Sequence, residues 1–151
     1  MRLLQNIAWN FNKNSYNSIA DFNQRVIEYQ LAIMKERACW KSDEIVIDSP
    51  IIDVAFTAWI KEGDLAKNEN LLEEGDFFDD AEDSENGYFQ AEIKARLEAD
   101  NDRNFTALEL LYKLDEQMKS KELGDHIFFE GLSEEGETDG AVPLFYMACG
   151  S

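Results

Sequence analysis

"YFQAEIKARLEAD", residues 88–100, decides the fold. Its Ala, Glu, Lys and Arg favour helix, yet Phe89, Ala91, Ile93, Ala95 and Leu97 alternate strictly with polar residues. An alternation of period two puts those five apolar side chains on one face of a strand. Where a core exists to cover that face, the amphipathic period outranks intrinsic propensity. The stretch is therefore expected to be a strand.

The segment upstream reads the same way. "EIVIDSPIIDVAFTAWI" (44–60) is rich in β-branched and aromatic residues, and Pro50 breaks it into a short strand and a longer one. In the longer piece Ile52, Val54, Phe56, Ala58 and Ile60 alternate with Asp53, Ala55, Thr57 and Trp59, the pattern of a half-buried strand. "KEGD" (61–64) supplies the turn out of it. Further upstream, Ser18 can cap a helix and Asp21 can complete a capping-box-like pair. Phe22, Val26, Tyr29 and Ile33 then fall on one helical face, and the helix is expected to reach about Arg37.

Downstream, Asn104 can cap a second helix, "FTALELLYKLDEQMKSKE" (105–122), with Ala107, Leu111, Leu114 and Met118 as its buried stripe. Lys119 and Lys121 suit the negative end of its dipole, and Gly124 is the expected residue just past its end. "HIFFEGL" (126–132) and "VPLFYMACG" (142–150) are β-like, and the glycines and acids of "SEEGETDGA" (133–141) read as the hairpin loop between them. The sum is a single α+β domain, 1–151: two main helices packed on one face of a mainly antiparallel β-sheet of four to five strands. At 151 residues such a domain can bury about two-thirds of its unfolded surface, and 44% hydrophobic content rules out a wholly disordered chain.

Charge is the outlier. The chain has 32 acidic and 14 basic residues, a net charge of −18, which disfavours nucleic acid and anionic membranes as direct partners. Basic proteins, metal cations and plain solubility remain as reasons for it. No apolar run reaches transmembrane length, and the start, "MRLLQNIAWNFN", has no signal-peptide core. Two distant cysteines, Cys39 and Cys149, make no disulfide framework, so a cytoplasmic location is expected.

"EEGDFFDDAEDSENG" (73–87) carries eight carboxylates and two adjacent phenylalanines. An EF-hand loop needs acids or amides at its early odd positions, Gly at the sixth and Glu at the twelfth. Counting from Asp76 puts Phe78 third; counting from Asp80 puts Glu85 sixth and Ala91 twelfth. Neither register binds calcium. With a lone histidine, His126, and no CxxC or HExxH, a zinc site is not expected either, and no cofactor is implied. There is no GxSxG, no phosphate-cradling glycine loop and no cysteine with an evident activating neighbour, so no catalytic residue is assigned.

Binding is better supported than catalysis. Aromatic anchors inside a charged rim are the anatomy of a protein interface. The candidate contact residues are Glu73, Glu74, Asp76, Phe77, Phe78, Asp79, Asp80, Glu82, Asp83, Glu85 and Tyr88. A second acidic cluster, Glu130, Glu134, Glu135, Glu137 and Asp139, is the other candidate patch, with a solvated hairpin tip as the plainer reading. Phe77 and Phe78 either face a partner or fold back onto the core.

The second helix and the segment after it, "FTALELLYKLDEQMKSKELGDHIFFEGL" closed by "VPLFYMACGS", resemble the small acidic immunity proteins encoded beside bacterial polymorphic and contact-dependent growth inhibition toxins. The resemblance covers roughly the C-terminal third, as helix, then "GDHIFFEGL", then a closing strand. It implies a non-enzymatic, cytoplasmic protein that binds a cognate toxin and blocks its active site or substrate cleft. Such toxins are often nucleases with Lys- and Arg-lined clefts, which an acidic inhibitor would contest. Two other readings stay open: a DNA mimic that inhibits a DNA-handling enzyme, and an enzyme built on a carboxylate pair.

Overall fold

In a computed structural model the described residues are 2–61, 64–72, 89–138 and 140–151. In chain order they form β1 (Arg2–Leu3), α1 (Ile19–Met34), β2 (Ile45–Ile47), β3 (Ile51–Ile60), β4 (Glu69–Leu71), β5 (Phe89–Glu98), β6 (Phe105–Thr106), α2 (Ala107–Met118), β7 (Phe128–Thr138) and β8 (Val142–Gly150), with a 3₁₀ turn at Lys35–Arg37 after α1. The deciding stretch is β5, a strand. It lies antiparallel to β3 over the full length of both, from Ile51 opposite Glu98 to Ile60 opposite Phe89.

The shared register sorts the side chains. Ile52, Val54, Phe56, Ala58 and Ile60 on β3, with Ile93, Ala95 and Leu97 on β5, are buried in one core cluster with Phe22 and Val26 of α1 and Leu110, Leu111, Leu114 and Met118 of α2. On the other phase of β5, Glu92, Arg96 and Glu98 are exposed and Lys94 is half-buried. β3 is less one-sided than its alternation suggests. Asp53 and Ala55 on its other phase are buried as well, and β3 runs inside the sheet between β5 and β8.

The expected single, mainly antiparallel sheet of four to five strands is corrected. The main sheet has six strands in the order β1-β7-β8-β3-β5-β4, and a separate two-stranded sheet joins β2 to β6. It is mixed, since β3 and β8 run parallel where Asp53, Val54 and Ala55 meet Leu144, Phe145 and Tyr146. The three added strands, β1, β4 and β6, are only two or three residues long, too short to show a period of two. The parallel pairing joins segments separated by the rest of the domain, as a crossover requires.

Local expectations meet mixed outcomes. Ser18 does cap α1, accepting from the Asp21 amide at 3.1 Å, while the Asp21 carboxylate accepts from the Asn17 amide at 3.2 Å. Phe22 and Val26 are fully buried, but Ile33 is 53% exposed. In its stead Gln30 is buried, and its side-chain amide both accepts from the Ala8 amide and donates to the Ala8 carbonyl. That pair ties the N-terminal segment to the helix. Edge-to-face contacts of Phe22 with Trp9 (5.2 Å), Tyr16 (5.1 Å) and Tyr112 (5.2 Å) add to it.

The cap of α2 is Thr106, which accepts from the Glu109 amide at 3.2 Å, and not Asn104. Phe105, fully buried, must first pair with β2, so the helix starts later. The expected stripe of Ala107, Leu111, Leu114 and Met118 is buried in full. Gly124 does not end the helix, which stops at Met118; it sits at φ +61 with Trp59 3.8 Å from where a Cβ would be. The expected loop 133–141 is mostly strand. β7 runs on to Thr138, with a register shift between Glu134 and Gly136 at which Gly136 takes φ +116. A glycine in such a bulge absorbs the extra residue without ending the strand.

Candidate functional site

Charge is held in two contrasting ways on this sheet. The first is the outer half of β7. Glu134, Glu135 and Glu137 are exposed, and Glu130 nearer the start of the strand is exposed too. β1 covers β7 only at Leu132 and Ser133, so from Glu134 to Thr138 the strand pairs with β8 alone among the described residues. Such an edge leaves backbone donors and acceptors open to another chain, and charged side chains along it oppose indiscriminate pairing. The one described hydrogen bond within this acidic run joins Ser133 Oγ to Glu135 Oε1 at 2.9 Å.

The expected site residues therefore divide. Glu134, Glu135 and Glu137 share one exposed strand, placed there by the hairpin with β8 and not by a loop. Glu73, Glu74, Asp76, Phe77, Phe78, Asp79, Asp80, Glu82, Asp83, Glu85, Tyr88 and Asp139 lie outside the described residues.

The second arrangement is one that the sequence does not single out. It is a cleft of about 700 Å³ beside β4 and β5, lined by Lys67, Asn68, Asn70, Lys94, Arg96 and Lys113, with Asp53, Leu97 and Glu98. Arg96 is fixed there by a two-pronged bond: its Nε and Nη2 each donate to Asp53 at 3.0 Å. Asp53 has no exposed side-chain surface while Arg96 keeps 44% of its own, so a buried carboxylate holds a cation at the surface. Lys113 is fixed by Asp100 at 2.9 Å, Glu109 at 3.0 Å and the Glu98 carbonyl. Asn68 donates to the Arg96 carbonyl at 3.1 Å and to Gln117 at 2.9 Å.

Next to Asn68 lies the most deeply buried ion pair among the described residues. Lys121 Nζ donates to Glu69 Oε1 at 2.6 Å, with both side chains at 0% exposure. Gln117 donates to the other Glu69 oxygen at 2.5 Å, the Ala66 amide donates to Glu69 at 2.7 Å, and Lys121 also donates to the Asp64 carbonyl at 3.1 Å. Lys121 thus fastens β4 to the segment after α2, a tighter task than the surface dipole partner expected of it. The sequence signals existed. An Asp inside an apolar strand, and two cations on the polar phase of β5, mark a site that alternation alone files under solvent.

Asp115 is the third buried carboxylate. Trp9 Nε1 donates to its Oδ1 at 3.0 Å, and its Oδ2 has no hydrogen-bond partner among the described residues. Burial pushes its carboxyl from 3.8 up to about 6, with the Trp9 bond pulling the other way. The Cys149 thiol is pushed up to about 12, first by burial and then by Glu130. It is a weak nucleophile at neutral pH. His126 is half-exposed, 3.5 Å from Asp125. Among the described residues no three His, Cys, Asp or Glu gather as a metal site would require, and no helix is long and apolar enough to cross a membrane. Comparison with known proteins finds no matching family model, no matching curated protein and no matching solved structure.

Proposed function

We propose that the protein works by binding: an immunity-type inhibitor that neutralises a cognate bacterial toxin of basic surface, a nuclease in the first instance, by occluding its active site or substrate cleft. It needs no cofactor and no chemistry of its own, and it would act in the cytoplasm where such a toxin is delivered. The observation that carries this reading is the outer half of β7. Among the described residues it is an edge, with Glu134, Glu135 and Glu137 held toward solvent on a chain of net charge −18. Carboxylates on such a strand can steer a basic partner by charge, while the open edge offers it backbone hydrogen bonds. The charge imbalance then has a use beyond solubility.

The acidic stretch with Phe77 and Phe78 belongs to the same proposal as its aromatic anchor. For the carboxylate-pair alternative, Asp53 and Glu69 are each bonded to a cation, which leaves Asp115 as the one buried acid among the described residues without one, and a single acid is not a pair. The test is to mix the protein with a panel of basic nuclease toxin domains, beginning with any encoded beside its gene. Nanomolar binding that falls steeply with salt, together with loss of nuclease activity, is the expected result. A panel with no binder, including the product of a neighbouring toxin frame, would overturn the reading.

A further inference from the structure

On a protein this acidic, the cleft beside β4 and β5 inverts the balance. Among the described residues its lining has four cations, Lys67, Lys94, Arg96 and Lys113, against two carboxylates, Asp53 and Glu98, where the whole chain has 14 against 32. Four of the chain's few basic side chains converge there, and three different elements deliver them. Lys94 and Arg96 come from alternate positions of β5, Lys67 from the approach to β4, and Lys113 from α2.

The site is built as well as charged. The Asp53 carboxylate, fully buried, orients Arg96 through both of its oxygens. Asn68 is held by Gln117 and by the Arg96 carbonyl, and the adjoining Glu69–Lys121 pair pins β4 in place. Lys113 is held by Glu109 and Asp100. The side chains of Lys67 and Lys94, by contrast, make no hydrogen bond or ion pair among the described residues, and Lys94 is half-buried. A cleft cation with no anionic partner among the described residues is free to give a bound anion a charge-assisted bond.

We infer that this cleft is a binding site for a small molecule bearing oxyanion groups, a phosphate or clustered carboxylates. At about 700 Å³ it falls within the range of small-ligand pockets and well short of a nucleic-acid groove. A long polyanion is further disfavoured by the −18 of the whole chain, which a compact ligand inside the cleft meets at a distance and largely screened. Lys67 and Lys94 supply the charge-assisted bonds, and Arg96, set by Asp53, gives the cleft its orientation. This site is separate from the acidic strand, and neither reading depends on the other.

Calorimetric titration with inorganic pyrophosphate and, in a second series, with citrate tests the site and tells the two sources of oxyanion apart. Saturable binding of at least one anion is expected, weakened by about tenfold or more in the Lys67→Ala/Lys94→Ala variant through the loss of two charge-assisted bonds. Both lysines lie outside the core, so the variant should keep its thermal midpoint, which is measured alongside. Glu134→Gln, Glu135→Gln and Glu137→Gln combined should leave the anion affinity unchanged. No saturable heat from either anion up to about 10 mM, or equal binding by the lysine variant, would overturn the inference.

Discussion

Toward one side of the main sheet, β7 holds Glu134, Glu135 and Glu137 out to water beside β8; at the other edge, β4 and β5 gather Lys67, Lys94 and Arg96 around a cleft. The two regions differ in more than sign. On β7 the carboxylates have no cation among their described partners and depend on solvent. At the cleft each fixed cation answers to a buried or half-buried carboxylate: Arg96 to Asp53, Lys113 to Glu109, and nearby Lys121 to Glu69. Charge on β7 is therefore spare, free to meet a partner at little cost to the fold. Charge around the cleft is structural first, and among the described residues only Lys67 and Lys94 are left over. A net charge of −18 describes neither region.

The sharpest way to break this comparison is at Lys121. Lys121→Ala leaves the Glu69 carboxylate buried without its cation, and a loss of about 3–5 kcal/mol is expected in urea unfolding. A loss under about 1 kcal/mol would mean that water reaches the pair, and the contrast with β7 would weaken.

Next in size is an effect on binding alone. Phe77→Ala with Phe78→Ala should weaken toxin binding by about 1–4 kcal/mol if the rings are anchors. An altered thermal midpoint with unaltered affinity would assign them to the core instead.

Asp115 sharpens the comparison from a third position, as a buried carboxylate that has a Trp9 hydrogen bond but no matching cation hydrogen-bonded to it. Its folded value, about 6, stands above its ordinary 3.8. The neutral form is thus favoured by folding. The stability it brings is complete below the ordinary value and is lost as pH rises through about 6. Asp115→Asn should stabilise the protein by about 1–2 kcal/mol near pH 7.5, and the gain should shrink as pH falls and vanish below the ordinary value of 3.8. Thermal unfolding of both proteins across that range is the check, and a gain independent of pH would assign it to packing.

The smallest effect is the most diagnostic of spare charge. Glu134→Gln, Glu135→Gln and Glu137→Gln together should shift stability by no more than about 0.5 kcal/mol, as exposed sites do. A larger loss would show these side chains serving the hairpin itself.

How much of the fold and of the two charged regions is legible in the sequence depends on what each residue relies on. β5 is readable because five apolar residues keep one period, and β3 because Pro50 and the alternation bound it. The stripe of α2 is readable for the same reason. Nothing local announces β1, β4 or β6: Arg2–Leu3 becomes a strand only because Gly131 lets it approach, with Leu3 O 3.0 Å from where a Cβ would stand. Gly136 misleads, since a glycine among acids reads as a loop, whereas here it sits in a bulge of β7 at φ +116. The glutamates of the acidic site are visible in composition, but their strand is not. The cleft escapes notice because its parts, Lys67, Asp53, Arg96 and Lys113, come together only through the β3–β5 register and the return of α2.

The central claim, a binding protein that meets a basic toxin through spare carboxylates on β7, rests on one comparison of affinities. The wild type and the Glu134→Gln/Glu135→Gln/Glu137→Gln variant would be titrated against a cognate basic toxin domain over a series of salt concentrations. The account predicts tight wild-type binding that falls steeply with salt, and a variant with weaker binding and a shallower slope at unchanged thermal midpoint. Equal affinity and equal salt dependence for the two proteins would contradict it.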